Sequence, residues 1–339
     1  MAQQVSIALT GDVMLGRLVG SKLERLGPLH PWGNMLPSLS AADLRIINLE
    51  CVIARTGKPW SRWRKVFHFR ADPIAIESLK KAGIDCVVLA NNHVLDYEEE
   101  ALIEMLGLLE QAGIRYVGAG RNLEEAARPA VLETSGLRVA IVAFTDNEPG
   151  WAATANTPGT NYIPISLEEK SLKPVSDAIG RARAERANLV IFSIHWGPNM
   201  VTRPSALFRR FAHAVVDAGA DIYHGHSAHV FHGIEIYNGK PIIYDAGEFV
   251  DDYAVDPELR NDLGLLFHLQ VTDSRVERID LTPVSIVDCQ VNLAIEPKNE
   301  IIASRIQALS RELGTSVRRE EDRLWIECAT GEATGAQAQ

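Results

Sequence analysis

The sequence predicts an α/β fold, and two observations carry that expectation. Through its first third, short apolar, β-branched runs alternate with segments whose apolar positions repeat at helical spacing, the pattern of a parallel sheet with crossover helices. The residues able to do chemistry stand where those runs end, and ligand sites in α/β sheets form just beyond the carboxyl ends of strands.

Residues 5–9 form the first run and lead into Thr10-Gly11-Asp12. Residues 44–49 form the second and lead into Glu50, and residues 85–90 form the third and lead into Asn91-Asn92-His93. Each is predominantly apolar and β-branched, as suits a strand covered on both faces. Between the second and third, residues 72–83 show helical spacing and a glycine stop. Residues 97–113 follow with acids in the first turn, an apolar stripe and Gly113 just past the end, so they read as a second helix. Residues 129–144 read as a hairpin, and residues 146–164, rich in Asn, Thr, Pro and Gly, as a long loop of the kind that often carries function. A helix over 167–186, a strand over 188–194 and a helix over 205–219 come next, then strands to about residue 287. Residues 298–327 read as a helix and one or two strands. With no repeat and no clear linker, residues 1–328 are expected to form one domain, and the small, polar segment 329–339 a disordered tail.

The densest chemistry lies in residues 219–233, where the run Asp221-Ile222-Tyr223 gives way to His224, His226, His229 and His232, with Gly225 letting the backbone turn tightly. A lone histidine in a turn is more often a hydrogen-bonded structural residue; four within nine residues suit a metal site, since neutral imidazole is the commonest ligand of borderline metals. In chain order, five strand-end groups recur: Asp12; Glu50; Asn92 with His93; His195; and His226 with His229. Two carboxylates, an amide oxygen and three imidazoles fit a centre of two divalent ions, Mn, Mg, Ca, Fe or Zn, with a carboxylate bridging them.

Composition narrows the class. The 339 residues are 46% hydrophobic and 23% charged, ordinary for a globular chain large enough to bury a sizeable core. A net charge of −10 excludes a general nucleic-acid binder, which needs a basic face. Cys51, Cys86, Cys289 and Cys328 form no CxxC pair and read as buried thiols of a reducing compartment. The N-terminus is not signal-like and no run is long enough to cross a bilayer, so a cytoplasmic protein without a membrane anchor is expected. Residues 55–70 are a local exception to the acidic balance, with six Lys or Arg, no acid, and Trp60 and Trp63 between them. Arg62, Arg64 and Lys65, together with Arg17 one turn past Asp12, are candidate contacts for an anionic substrate; the alternative is a solvated loop that balances nearby acids. The run 248–262 presents the same choice between an ion-paired surface loop and acid/base groups beside the metals. His213, His232 and His268 are expected to be structural, and Trp196 to pack.

The clusters GDVMLGR, NLE, ANNHVLDY, HWG, GHSAHV and IIYDAGEF, over about residues 5–250, resemble the bacterial capsule-synthesis family, also called CapA or poly-γ-glutamate synthesis proteins, within the calcineurin-like metallophosphoesterase superfamily. The resemblance implies a four-layer α/β/β/α sandwich with the metals at one end of the sheets. It implies Asp12 as the first ligand, Glu50 as the bridging carboxylate, Asn92, His195, His226 and His229 as further ligands, and His93 as the group that acts on substrate, oriented by Asp96. His224 is expected to support the ligands. Departures are visible too. Met14 stands where the superfamily usually places a ligand histidine, Ser227 and Ala228 interrupt the last histidine motif, and Asp245 and Glu248 enter a segment that tends to read SLGNF. Losing an imidazole and gaining carboxylates favours harder, oxygen-liking ions.

Three functions follow as expectations. A metal-dependent hydrolase would act on a phosphoester or on a peptide- or polyglutamate-like anion, the ions acidifying water and offsetting charge that builds on the substrate oxygen. A peptide epimerase would use acid/base groups to remove and return a Cα proton. A non-catalytic component of poly-γ-glutamate synthesis would use the fold as a scaffold.

Overall fold

Strands that are apolar on both faces need cover on both, and here two sheets provide it for each other. The structure, a computed structural model, describes residues 4–321 and 323–328; the tail expected at 329–339 lies outside the described residues. The larger sheet runs in the order Arg318–Glu320, Arg323–Glu327, Arg275–Val287, Leu263–Thr272, Val5–Val13, Leu44–Leu49, Cys86–Val88, Arg115–Val117. Its last four strands are mutually parallel, as the alternating pattern predicted, and Glu248–Val250 adds a further parallel partner to Val5–Val13. The second sheet runs Ile234–Tyr237, Lys240–Ile243, Ile222–His226, Leu189–His195, Leu137–Thr145, Ala130–Thr134.

Three apolar layers follow from the alternation of side chains along these strands. Val5, Ile7 and Leu9 meet Ile141, Ile191 and Ile222 between the two sheets. On the outer face of the larger sheet, Ala8 and Ile47 pack with Val19, Leu79 and Leu106 from the helices Arg17–Leu26, Ile74–Lys81 and Glu98–Ala112. On the outer face of the second sheet, Val190 and Phe192 pack with Val175 and Val215 from the helices Glu169–Ala184 and Ala206–Asp217. The order helix, sheet, sheet, helix is the calcineurin-like four-layer sandwich. No helix among the described residues is long and apolar enough to cross a membrane.

The first strand outruns its apolar stretch. It continues to Val13 because Asp12 and Val13 still pair with Asn48 and Leu49 on one side and with Glu248 and Val250 on the other. The segment expected as a loop at 146–164 is also more ordered than its composition suggests, holding a 3₁₀ turn, Pro149–Trp151, and a short strand, Gly159–Thr160, paired with Ala119–Gly120.

Close packing at the strand ends requires Gly118, whose φ is +91° and whose missing Cβ would lie 2.5 Å from the Cβ of Ala90 and 2.9 Å from that of Ala143. Ala90 leads directly into Asn91-Asn92-His93. Gly118→Ala is expected to cost about 3 kcal/mol, overpacking and a left-handed φ together, read as a lower urea midpoint with an unchanged slope.

Candidate metal centre

Strand register gathers the site. Asp12 lies level with Asn48 on one neighbouring strand and with Glu248 on the other, and Glu50 follows two residues beyond Asn48. In the second sheet His195 and His226 end adjacent parallel strands at the same level. A side chain at the same level on the next strand points to the same face, so the two imidazoles emerge together. Gly225, between His224 and His226, has no room for a Cβ, which would sit 2.2 Å from the Tyr244 carbonyl oxygen.

The result is two buried donor groups that share one residue: Asp12 with His195 and His226, and Asp12 with Glu50, His229 and Glu248. Asp12 Oδ1 is 3.6 Å from His226 Nδ1 and 3.8 Å from His195 Nδ1; Asp12 Oδ2 is 3.9 Å from His229 Nδ1. The two facing Nδ1 atoms of His195 and His226 are 3.0 Å apart, and His229 Nδ1 touches Glu248 Oε1. Glu50 Oε1 is 3.9 Å from His195 Nε2 and 3.6 Å from His93 Nε2. Burial pushes the Asp12, Glu50 and Glu248 carboxyls well above their ordinary values, and neighbouring carboxylates, Asp245 for Asp12, Asp12 for Glu50 and Asp251 for Glu248, add to it. Burial likewise holds His195 and His226 well below the ordinary imidazole value, and His229 at about 4, so all three rings are neutral and able to ligate.

A divalent ion fits this arrangement. Asp12 Oδ2, both Glu50 oxygens, Asn92 Oδ1 and Glu248 Oε2 are buried without a hydrogen-bond partner, a condition that protein interiors rarely leave uncompensated. The buried Asp, His and Glu groups can therefore hold metal ions.

Around them stand residues that fix orientation. Ser193 Oγ meets His226 Nε2 at 3.0 Å and His224 Nδ1 at 3.1 Å, while His224 Nε2 lies 2.9 Å from the Thr10 carbonyl oxygen. With Nε2 engaged, His226 turns Nδ1 toward Asp12. Asp245 accepts from the Ala228 and Gly247 backbone N–H groups at 2.8 and 2.9 Å and so shapes the histidine turn. His93 Nδ1 bonds Asp96 Oδ2 at 2.6 Å, which leaves Nε2 facing Glu50; Phe69 stacks on the ring with centroids 3.9 Å apart. Asp96 is itself held by the Phe69 N–H at 2.6 Å and by Lys65 at 3.4 Å.

The basic segment sorts into different uses. A cavity of about 540 Å³ opens beside the donors and is lined by Arg17, Arg64, Lys65, Asn92, His93 and His229, among others. Lys65 is nearly buried, donating to the Asn92 carbonyl at 2.7 Å and pairing with Glu148 at 3.6 Å as well as with Asp96. Arg62 does not line the cavity: it lies over Trp60 and pairs with Glu98 and Glu99. Trp60 packs edge-on against both Trp63 and Trp151, at 4.5 and 5.3 Å, which pins the segment to the 148–151 turn. The run 248–262 divides as well, with Glu248 and Asp251 buried at the centre and Arg260 paired with Asp262 away from it. His213, His232 and His268 are engaged with Glu235, the Val201 carbonyl and the Ser38 carbonyl, and Trp196 is buried with its N–H on the Tyr244 carbonyl.

Sequence reasoning passed over several neighbours. Asn48 donates to Asp12 Oδ1 at 2.6 Å, and Asn91 donates to Asn48 Oδ1 at 3.0 Å while accepting the His93 N–H. Tyr253 stands edge-on to His229 at 5.3 Å with its hydroxyl buried and unpartnered. Asn48 and Ser193 are polar interruptions inside otherwise apolar strands, a signal that was present; nothing in its local sequence marks Tyr253.

Residues 6–253 match the family described as bacterial capsule synthesis protein PGA_cap. A Mycobacterium tuberculosis protein named as a probable polyglutamine synthesis accessory protein is 32% identical, covering 94% of this chain and 95% of that one. The Bacillus subtilis PGA biosynthesis protein CapA is 30% identical over 83% of this chain and 72% of its own length. A hypothetical protein from Thermus thermophilus shares the fold, with a TM-score of 0.50 and 17% identity over 83% of this chain and the whole of that one.

Adding Mn²⁺ to chelator-stripped protein is expected to raise the melting temperature by about 5 °C or more at saturating ion, the scale set by roughly 2.7 kcal/mol at one hundred times Kd. Asp12→Asn, which alters the residue common to both donor groups, is expected to abolish the rise, as calorimetry would show.

Proposed function

Because this chain belongs to the bacterial capsule synthesis protein family PGA_cap, we propose that it is a metal-dependent hydrolase acting on an anionic phosphoester or a peptide- or polyglutamate-like substrate. The observation that carries this reading is the set of unpartnered, buried carboxylate oxygens of Asp12, Glu50 and Glu248, gathered with the imidazoles of His195, His226 and His229, together with the unpartnered amide oxygen of Asn92, a residue lining the open cavity beside them. Two divalent ions held there would supply the positive charge that acidifies a water and offsets charge building on a phosphoryl or acyl oxygen. The oxygen-rich donors around Glu50 and Glu248 favour Mn, Mg or Ca over Zn.

The chain's own residues account for the rest. Arg17 and Arg64 at the cavity wall draw in the anion. Asp96 accepts the Nδ1–H of His93 and burial holds the ring well below the ordinary imidazole value, so Nε2 carries the lone pair that would take a proton from the attacking water and pass it to the leaving oxygen. Phe69 covers the imidazole and keeps water from one face of it. The names of the relatives, which refer to polyglutamine and PGA synthesis, support an anionic substrate in a polyglutamate context.

One observation favours a second reading, epimerisation at a peptide Cα. Asp251 is buried with Oδ2 unpartnered, and burial pushes its carboxyl up to about 7, giving the buried centre an acid/base group in addition to His93.

The test is to incubate Mn²⁺-loaded protein with aryl phosphate mono- and diesters and with γ-linked glutamate oligomers in heavy water. Hydrolysis is expected, with His93→Gln losing about 10²- to 10³-fold in kcat while the ion-dependent melting shift persists. Deuterium entering Cα without cleavage would instead establish epimerisation. Ion binding with inertness to every substrate would leave the non-catalytic capsule-synthesis role.

A further inference from the structure

We propose that the cleft selects anions carrying an apolar group directly beside their charged centre, and that residues 64–67, together with Arg17, are the selector. This deepens the reading of the cavity as a site for an anionic substrate and rests on it.

The depth of the cleft is charged, and its mouth sets exposed apolar side chains beside the cations Arg17 and Arg64. Val66 is 71% exposed and Phe67 58%, and both line the cavity; Leu18, at 59%, and Val255, at 51%, are next in sequence to the lining residues Arg17 and Ala254. Single exposed apolar residues are ordinary. Two side by side on a cavity wall, Val66 and Phe67, form an apolar surface that water solvates poorly.

The cation at this wall is arranged to match it. The Arg17 guanidinium lies 5.5 to 6.0 Å from the rings of Phe67, Phe69 and Tyr253, so aromatic surface surrounds it. Its Nε is 3.3 Å from Asp252, a side-on contact that leaves other N–H groups for a ligand. Arg17 also takes a φ of 49°, a left-handed conformation that only the surrounding structure can hold for a side chain of this size.

The wall is also held open. Trp60, Trp63 and Trp151 clamp the base of the loop, and Lys65 ties its middle to Asn92, Asp96 and Glu148. Val66 and Phe67 are therefore presented by a pinned segment, and a ligand meets a preformed surface with little ordering left to do. A polyacid with no apolar part would satisfy Arg17 and Arg64 but leave Val66 and Phe67 in water. An anion with an aryl or branched alkyl group next to its charge covers both.

The test compares methylphosphonate and benzylphosphonate, equal in charge and inert to hydrolysis, by calorimetric titration of the Mn²⁺-loaded chain. Benzylphosphonate is expected to bind about tenfold more tightly or better, the gain from burying one phenyl group. The Val66→Ser, Phe67→Ala double variant should erase that preference while binding methylphosphonate within about twofold of the parent. Arg17→Gln should weaken both ligands alike. Equal affinity of the parent for the two phosphonates, an undiminished preference in the double variant, or failure of both to bind would overturn the proposal. Because no turnover is measured, a chain that shows the preference yet hydrolyses nothing would sink the hydrolase reading and leave the selector standing.

Discussion

Everything at the centre follows from like charges that cannot move apart. Asp12, Glu50 and Glu248 are fixed by the register of three adjacent parallel strands, all fully buried, and the field of each raises the cost of ionising the others. A flexible loop would relieve such repulsion by turning one carboxylate to solvent. Buried carboxylates held in or directly after paired strands have little such freedom, so the relief must come from protons or from a cation. The second sheet contributes to that balance, because its parallel pair delivers His195 and His226 as neutral rings against the same Asp12 oxygen.

The two donor groups are chemically unequal. One side offers two imidazoles and a carboxylate; the other offers three carboxylates and one imidazole. Met14 helps explain the asymmetry. In the superfamily pattern that position supplies nitrogen, whereas here Met14 is fully buried in the helix-facing core with its sulfur on the Gly16 N–H. Glu248, brought level with Asp12 by the neighbouring strand, puts oxygen into the centre. The softer and the harder side thus meet at a single shared carboxylate.

How much of this was legible depends on what carries the signal. Predominantly apolar runs marked the parallel strands because burial on both faces leaves little alternation, and the polar residues just beyond them come together in the candidate centre because sheet topology puts strand ends together. Faces were harder to read. Asn91 and Asn92 are adjacent and chemically identical, yet one braces Asn48 and the His93 backbone while the other keeps its amide oxygen free, a difference set by the turn they sit in. The basic segment divides between the two readings offered for it. Arg64 and Lys65 line the cavity with Arg17, whereas Arg62 is taken up by Glu98 and Glu99, acids some 36 residues downstream that a local reading could not weigh, and Trp60 and Trp63 pack on one another and Trp60 on Trp151.

The tryptophan clamp separates two jobs that many clefts combine. The metal-competent donors are anchored in strand ends whose geometry tolerates almost no revision, while the rim is a short stretch fastened at its base and exposed at its tip. Exchanging the tip would alter the entrance without disturbing the donors beneath it. A fold built in this way can acquire new ligands by editing three or four codons, and its interior would meet each of them unchanged.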